Sequence, residues 1–228
     1  MVDVALFELE GVLFDTRELR RAALREAMVA HGLNVPFDPE VVEGLTPRAA
    51  AQDSFVRAHA VWDHVILDLV ALDAERSFSR QLATSGAVLQ TGARELVDNA
   101  ASRGRIAVVT RAGRADADLM LRLSGLESAF VVTVCSDNVI EPKPSPAGYQ
   151  FALERIGRQR PIARSSVLAL EDCREGIRAA RAAGVRCVAV GALPAHIALE
   201  ADALVESLAG HTLRSLDALS REGGERVQ

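Results

Sequence analysis

Four short stretches hold residues whose types and spacing could do chemistry. Phe7-Glu8-Leu9-Glu10-Gly11 sets two carboxylates two positions apart at the end of an apolar run, with a glycine behind them. Paired acids so placed can divide nucleophilic and proton-transfer work, and they point toward the edge where open α/β sheets bind ligands. A strand end that merely exits into solvent also carries carboxylates. Thr110 closes the run Ile106-Ala107-Val108-Val109 and is followed by Arg111 and Gly113. A hydroxyl there, with free backbone N–H groups at the start of the coming helix, makes an anion seat; the same hydroxyl can serve as an ordinary helix cap. Lys143 stands between Pro142 and Pro144, whose restricted backbone suits a positioned ammonium. Glu171 and Asp172 end the run Val167-Leu168-Ala169-Leu170. Adjacent acids on a loop can hold Mg2+ together with water and phosphate oxygens, provided that the chain turns there, since consecutive strand residues face opposite ways.

Such groups need a scaffold that brings them to one edge. Val2–Leu9, Ile106–Thr110, Phe130–Cys135, Val167–Leu170 and Arg186–Val190 are short, nearly continuous apolar runs rich in β-branched residues, the pattern of strands buried on both faces. From the second onward each is followed by turn residues and a helical periodicity, for example over Asp116–Leu123, Ala147–Ile156 and Glu175–Ala183. That alternation predicts a parallel sheet covered by helices on both faces. Between the first and second strands lie about ninety residues with no convincing strand, far more than one crossover needs, so an inserted domain is expected. The insert reads as helical. Glu18–His31 carries Leu19, Ala23, Ala27 and Ala30 on one face. Asn34, Pro36 and Pro39 interrupt the pattern, and Thr46-Pro47 reads as an N-cap with proline at the first helical position. Helices are then expected over Arg48–His59 and Trp62–Leu82, with Phe37, Phe55, Trp62 and Phe78 packing a small core of their own. The expected division is residues 1–16 and 91–220 as the sheet domain, 17–90 as the helical insert and 221–228 as a disordered tail.

Twenty-six basic against 31 acidic residues leave a net charge of -5 over 228 residues. A mild acidic excess with scattered arginines argues against nucleic acid, which is bound through clustered Lys and Arg. No stretch approaches the ~20 apolar residues that span a bilayer, and the opening MVDVALFELEGVLFDT has neither a basic region nor a cleavage site of a signal peptide. Cys135, Cys173 and Cys187 are odd in number, and two of them lie in apolar runs, as expected of reduced thiols in the cytoplasm. Neither CxxC nor HExxH occurs. A monomer or homodimer is expected, without membrane or nucleic-acid partners.

In the order acid-x-acid, insert, Thr, Lys, Glu-Asp, each at or just past a strand end, the chain resembles the haloacid dehalogenase (HAD)-like hydrolase superfamily over nearly its whole length. It is most similar to the helical-cap subgroup that includes phosphoglycolate phosphatase and β-phosphoglucomutase-like proteins. ELEGVLFDT, KPSPAGYQFALERIG and LEDCREGIRAARAAGVRCVAVG carry the likeness. The resemblance implies a Rossmann-like three-layer α/β core with a parallel sheet and an inserted all-helical cap. It also implies a phosphoric monoester hydrolase that uses Mg2+ and an acyl-phosphate intermediate on a small phosphorylated metabolite. By position it assigns Glu8 as nucleophile and metal ligand, and Glu10 as acid/base and metal ligand. Thr110, Arg111 and Lys143 would bind phosphate, Glu171 and Asp172 would bind the metal, and Arg20 and Arg48 of the cap would meet the substrate.

The chain also departs from the family pattern. Both first-motif acids are Glu where the family has Asp, and a displacement of about 1 Å can cost ~10²-fold in rate when reacting atoms must sit ~3 to 3.5 Å apart. Hence a second expectation, a catalytically weak or inactive member kept for binding or regulation. Arg111 stands where Asn often follows the hydroxyl residue, and Cys173 where Ser is common. Arg20 replaces the His of β-phosphoglucomutase-like members, which counts against a mutase. A haloacid dehalogenase fits less well, because members with that chemistry lack the second acid that Glu10 supplies. No G-x-G-x-x-G follows the first strand, so a dinucleotide-dependent oxidoreductase is set aside.

Overall fold

The structure, a computed structural model, describes residues 2–33, 46–59, 61–158 and 160–224. It divides into two compact units, Met1–Asp15 with Val88–Gln228, and Thr16–Ala87.

The first unit is built on β1 (Val4–Phe7), whose four residues are wholly buried. It pairs in parallel with β4 (Arg105–Val109) on one side and β6 (Val167–Glu171) on the other, Phe7 lying opposite Val108 and Leu170. β5 (Val132–Val134) extends the sheet beyond β4, and β7 (Arg186–Val190) and β8 (Ala203–Val205) extend it beyond β6. The strand order β5-β4-β1-β6-β7-β8 means that the chain builds one side, then crosses β1 to build the other. Such a reversal opens a crevice beyond the carboxyl ends of the strands.

Val4, Leu6, Ala107, Val109, Ala169 and Cys187 share one core with α6 (Ala147–Gly157) and α7 (Arg174–Ala182). Ala5 and Phe7, on the opposite face, are equally buried, so the sheet is the middle of three layers, as the resemblance implies. α4 (Ala93–Ala101) packs on β4 and against α9 (Leu213–Gly224), and α9 packs on β7 and β8. The remaining helices are α5 (Arg114–Leu123) and the short α8 (Ala195–Ala198). Among the described residues no helix is long and apolar enough to cross a membrane.

Three features differ from the sequence expectation. β8 joins the sheet although its three residues stand between Asp202 and Glu206, too short a run to read as a strand. α4 adds a helix where none was expected, burying Leu96 and Val97 in an otherwise polar stretch. α9 continues through Gly224, past the point where a frayed tail was expected to begin, and Arg221 Nε donates to Asp217 Oδ1 at 3.0 Å along it. Residues 225–228 lie outside the described residues.

The second unit consists of α1 (Arg17–Ala30), α2 (Pro47–Arg57) and α3 (His64–Ser85). Thr46 Oγ1 accepts from the Ala49 N–H, with Pro47 inside the first turn, as the sequence predicts. α3 starts later than expected because Asp63 caps it, accepting from the Ile66 N–H at 2.7 Å. Leu24, Met28, Phe55, Leu67 and Val70 form a core, with Trp62 packed on its margin. Phe78 is buried as well, whereas Asn34, Pro36, Phe37 and Pro39 lie outside the described residues. The chain enters and leaves this unit through β2 (Phe14–Asp15) and β3 (Val88–Leu89), a two-residue antiparallel pair.

An ionic clamp ties α7 to the segment after α8. Arg174 Nε donates to Glu200 Oε1 and Arg178 Nε to Glu200 Oε2, each at 2.6 Å. Arg178 first, then Arg174, hold the Glu200 carboxyl at about 2, below its usual 4.5. A depressed carboxyl favours the folded state above its unfolded value, and that contribution is lost as pH falls through the folded value. Glu200→Gln is therefore expected to lower the thermal midpoint at neutral pH. The gap from the parent should close between about pH 4.5 and 2, which unfolding scans over that range will check.

Candidate active site

The acids at the end of β1 are set by a sharp local turn. The Glu8 N–H still pairs with Leu170 O at 3.1 Å, extending the sheet by one residue. Beyond it the Leu13 and Phe14 N–H groups donate back to Leu9 O, at 2.8 and 2.9 Å, in a single tight turn. Gly11 sits in that turn at φ +80°, where a Cβ would fall 1.9 Å from Asp172 Oδ2. Glycine is thus required twice over, for its backbone angle and for the space that the Asp172 carboxylate fills.

At the end of β6, Glu171 is wholly buried, and its carboxylate lies where a Cβ on Gly176 would be, 1.9 Å from Oε2. Glu171 Oε1 accepts from Lys143 Nζ at 2.5 Å and from the Tyr149 hydroxyl. Oε2 is buried with no hydrogen-bond partner. The chain then turns out of the sheet, and Asp172 comes round toward Gly11. That turn is what the sequence required if both acids were to share a site.

Lys143 reaches in from the segment before α6. Its Nζ donates to Glu8 Oε2 at 2.6 Å, to Glu171 Oε1 and to Val109 O at 2.8 Å. An ammonium has three protons, so all of its donors are engaged. Glu8 is 3% exposed, and its other oxygen, Oε1, accepts from the Leu9 N–H at 2.7 Å. Thr110 is buried beyond β4; its N–H donates to Val134 O, and its Oγ1 accepts from the Ala112 N–H at 3.1 Å. The half-buried Arg111 forms no hydrogen bond or ion pair among the described residues.

The electrostatics follow from this crowding. Burial works against the charge of Lys143, but Glu171 and Glu8 outweigh it and raise its pKa. Arg111 behaves alike: burial opposes its charge, and Cys173, Glu8, Asp172 and Glu171 together raise its pKa. Burial pushes the Glu171 carboxyl up while Lys143 pulls it down, leaving it raised. Asp172 is pushed up to about 7, first by burial and then by the charges of Glu171 and Glu8. Too many carboxylates share too little positive charge here, the condition that an added cation relieves.

The structure brings the expected residues together in two overlapping groups. Glu8, Lys143 and Glu171 are joined by direct ion pairs. Glu171, Asp172 and Cys173 each offer a ligand atom within 4.8 Å of the others. Glu8 and Glu10, both expected as metal ligands, do not enter that second cluster. The longer Glu8 arm carries its carboxylate to Lys143, and the half-buried Glu10 lies in the turn, where it bridges to Phe14. An orphaned buried oxygen on Glu171 and the hard oxygen donors of Asp172 fit a divalent cation. In the helical unit, Arg20 pairs with Glu75 at 2.6 Å and lies 3.5 Å over the Phe78 ring, while Arg48 pairs with Asp68 at 2.6 Å and meets His64 Nδ1 at 3.0 Å. Both are engaged inside their own unit. Tyr149 went unforeseen; the signal was the chain's single tyrosine on the apolar face of α6, where a hydroxyl needs a partner.

A six-stranded parallel sheet between helical layers, with its acids gathered beyond the carboxyl ends of the central strands, defines a Rossmann-like α/β protein. The chain matches the haloacid dehalogenase-like hydrolase family over residues 5–190 and belongs to it. Protein CbbY of Cereibacter sphaeroides is 31% identical over 197 residues, covering 82% of this chain and 84% of the relative. Validoxylamine A 7'-phosphate phosphatase of Streptomyces hygroscopicus subsp. limoneus is 30% identical over 210 residues, covering 91% and 95%. Among solved structures, a CbbY variant from Rhodobacter sphaeroides in complex with xylulose-(1,5)bisphosphate superimposes with a TM-score of 0.77 at 29% identity, covering 95% of this chain and all of that one.

Removing the ammonium would leave two buried carboxylates facing one another. Lys143→Met is therefore expected to destabilise the protein by about 3–5 kcal/mol, measured by urea denaturation. Adding Glu8→Gln should restore part of that loss. Equal losses in the single and double variants would rule out the ion-pair account.

Proposed function

We propose that this chain is a Mg2+-dependent phosphatase acting on phosphate monoesters of small carbohydrate-like metabolites. One observation carries the reading: beyond the carboxyl ends of the strands a carboxylate oxygen, Glu171 Oε2, and a guanidinium, Arg111, each without a hydrogen-bond partner among the described residues, lie within electrostatic reach of one another. The first asks for a cation and the second for an anion, and a metal-bound phosphate ester supplies both. The relatives support the substrate class, one being named for a phosphate ester and another solved with a sugar bisphosphate. Three free, buried cysteines support a reducing compartment, the cytoplasm.

Each residue then has a task. Thr110 Oγ1 already accepts a backbone N–H, which leaves its own proton for a phosphoryl oxygen. Arg111 neutralises charge on the same group. Lys143, with its protons engaged, positions Glu8 and Glu171 rather than gripping phosphate first. Glu8 forms a carboxylate O–P bond as the ester P–O bond breaks, and Glu10 gives a proton to the leaving oxygen. Glu10 next takes a proton from water as that water attacks phosphorus, releasing phosphate and restoring Glu8. Glu171 and Asp172 would hold the cation, whose charge offsets the repulsion between an anionic nucleophile and an anionic ester.

A second reading, a binding protein of little turnover, is favoured by Glu8 itself, since both of its oxygens are already engaged, by Lys143 and by the Leu9 N–H. The two readings separate cleanly. The phosphatase reading expects Mg2+-stimulated phosphate release from a panel of sugar phosphates, and a loss of activity in Glu8→Asp with Glu10→Asp, because the pocket is fitted to glutamates. No release with Mg2+, Mn2+ or Co2+, or a large gain in the double variant, would favour the binding protein. Arg111→Ala is expected to raise KM about tenfold or more, with a smaller change in kcat, in steady-state assays.

A further inference from the structure

We infer that Cys173 is a third donor of the cation site, so that the site takes thiophilic divalent ions through Sγ as well as oxygen-seeking ones through Glu171 and Asp172. This rests on the cation half of the proposed function and not on turnover.

The geometry carries it. Donor atoms of Glu171, Asp172 and Cys173 lie within 4.8 Å of one another. Oxygen and sulfur donors bound tetrahedrally to one ion at about 2.1 and 2.3 Å stand roughly 3.4 to 3.6 Å apart, so side-chain adjustments of about 1 Å or less would bring all three into contact with it. Glu171 Oε2 is wholly buried and unpartnered, an independent sign that the cluster is built for a ligand. The sulfur is uncommitted: Cys173 is the N-cap of α7, with extended backbone at φ −141° and ψ 159°, and its side chain makes no capping hydrogen bond. It stands, buried, at the head of the nine-residue α7. Glu8, the acid expected to complete the ligand set, is drawn away to Lys143 and the Leu9 N–H. The place that it leaves is one that a sulfur at the head of α7 can take.

On binding, the Cys173 thiol gives its proton to solvent as the Sγ–metal bond forms, and no group is oxidised or reduced. A thiolate among carboxylates shifts preference from Mg2+ toward Zn2+, Cd2+ and Co2+.

The test uses the full chain, stripped with a chelator and titrated with Cd2+ and Co2+ while the ultraviolet thiolate-to-metal charge-transfer absorption is followed. A saturable band is expected in the parent and in Cys135→Ser, and no band in Cys173→Ser or Cys173→Ala with folding verified by circular dichroism. Cys173→Ser should weaken Cd2+ binding by about tenfold or more and leave Mn2+ binding, read by electron paramagnetic resonance, within about twofold. A band that survives both Cys173 variants would overturn the inference. So would Mn2+ binding without any thiolate band in the parent, which would leave the cation reading itself standing. Failure to bind any of these ions would remove both.

Discussion

One buried ammonium holds the working edge of this protein together. Lys143 donates its three protons to groups on three adjacent strands or their ends: Val109 O of β4, Glu8 just past β1, and Glu171 of β6. These strands are neighbours within the sheet, and their carboxyl ends carry backbone or side-chain oxygens that would otherwise repel one another. Taking such charges out of water is costly, and the cost is offset only where every proton finds an acceptor. The surroundings comply. Prolines flank the lysine, glycines at 11 and 176 clear space for the Asp172 and Glu171 carboxylates, and Tyr149 gives Glu171 one more donor. Among the described residues, one buried side-chain oxygen is left without a hydrogen-bond partner, Glu171 Oε2.

The glutamates give this arrangement its particular character. A carboxylate one methylene longer reaches further across the crevice, and here that reach ends on Lys143. The lysine becomes an internal counterion, and Arg111 is a nearby cation without a hydrogen bond or ion pair among the described residues. Charge in the site is thus redistributed rather than lost. Glu8 pairs with the lysine, and the sulfur of Cys173 stands beside the carboxylates of Glu171 and Asp172.

Much of this could be read from the chain alone, because it depends on patterns that are local. Val4–Phe7, Ile106–Val109 and Val167–Leu170 are apolar at every position, and only a strand covered on both faces has use for that. Thr46-Pro47 opens its helix because a hydroxyl and a proline each do the one thing a first turn needs. What could not be read depends on side-chain direction. Arg20 and Arg48 were legible as cationic residues of the insert but not as partners of Glu75 and Asp68, which lie 55 and 20 residues away. The contact of Glu8 with Lys143 spans 135 residues, and whether an extra methylene leads toward a metal or toward a lysine is decided by the far partner. β8 escaped notice for another reason: three residues between acids gain their strand character only from β7 beside them.

The pairing of β2 with β3 has a meaning for how this chain came to be assembled. Asp15 lies opposite Val88 and Phe14 opposite Leu89, so the points where the helical unit begins and ends are neighbours in a ladder that belongs wholly to the sheet-bearing unit. A short turn could join them without disturbing the register of any strand. The helical unit is in this sense a graft whose two cut ends already meet. Its sequence can diverge, lengthen or be exchanged while the register of this two-residue ladder stays the same.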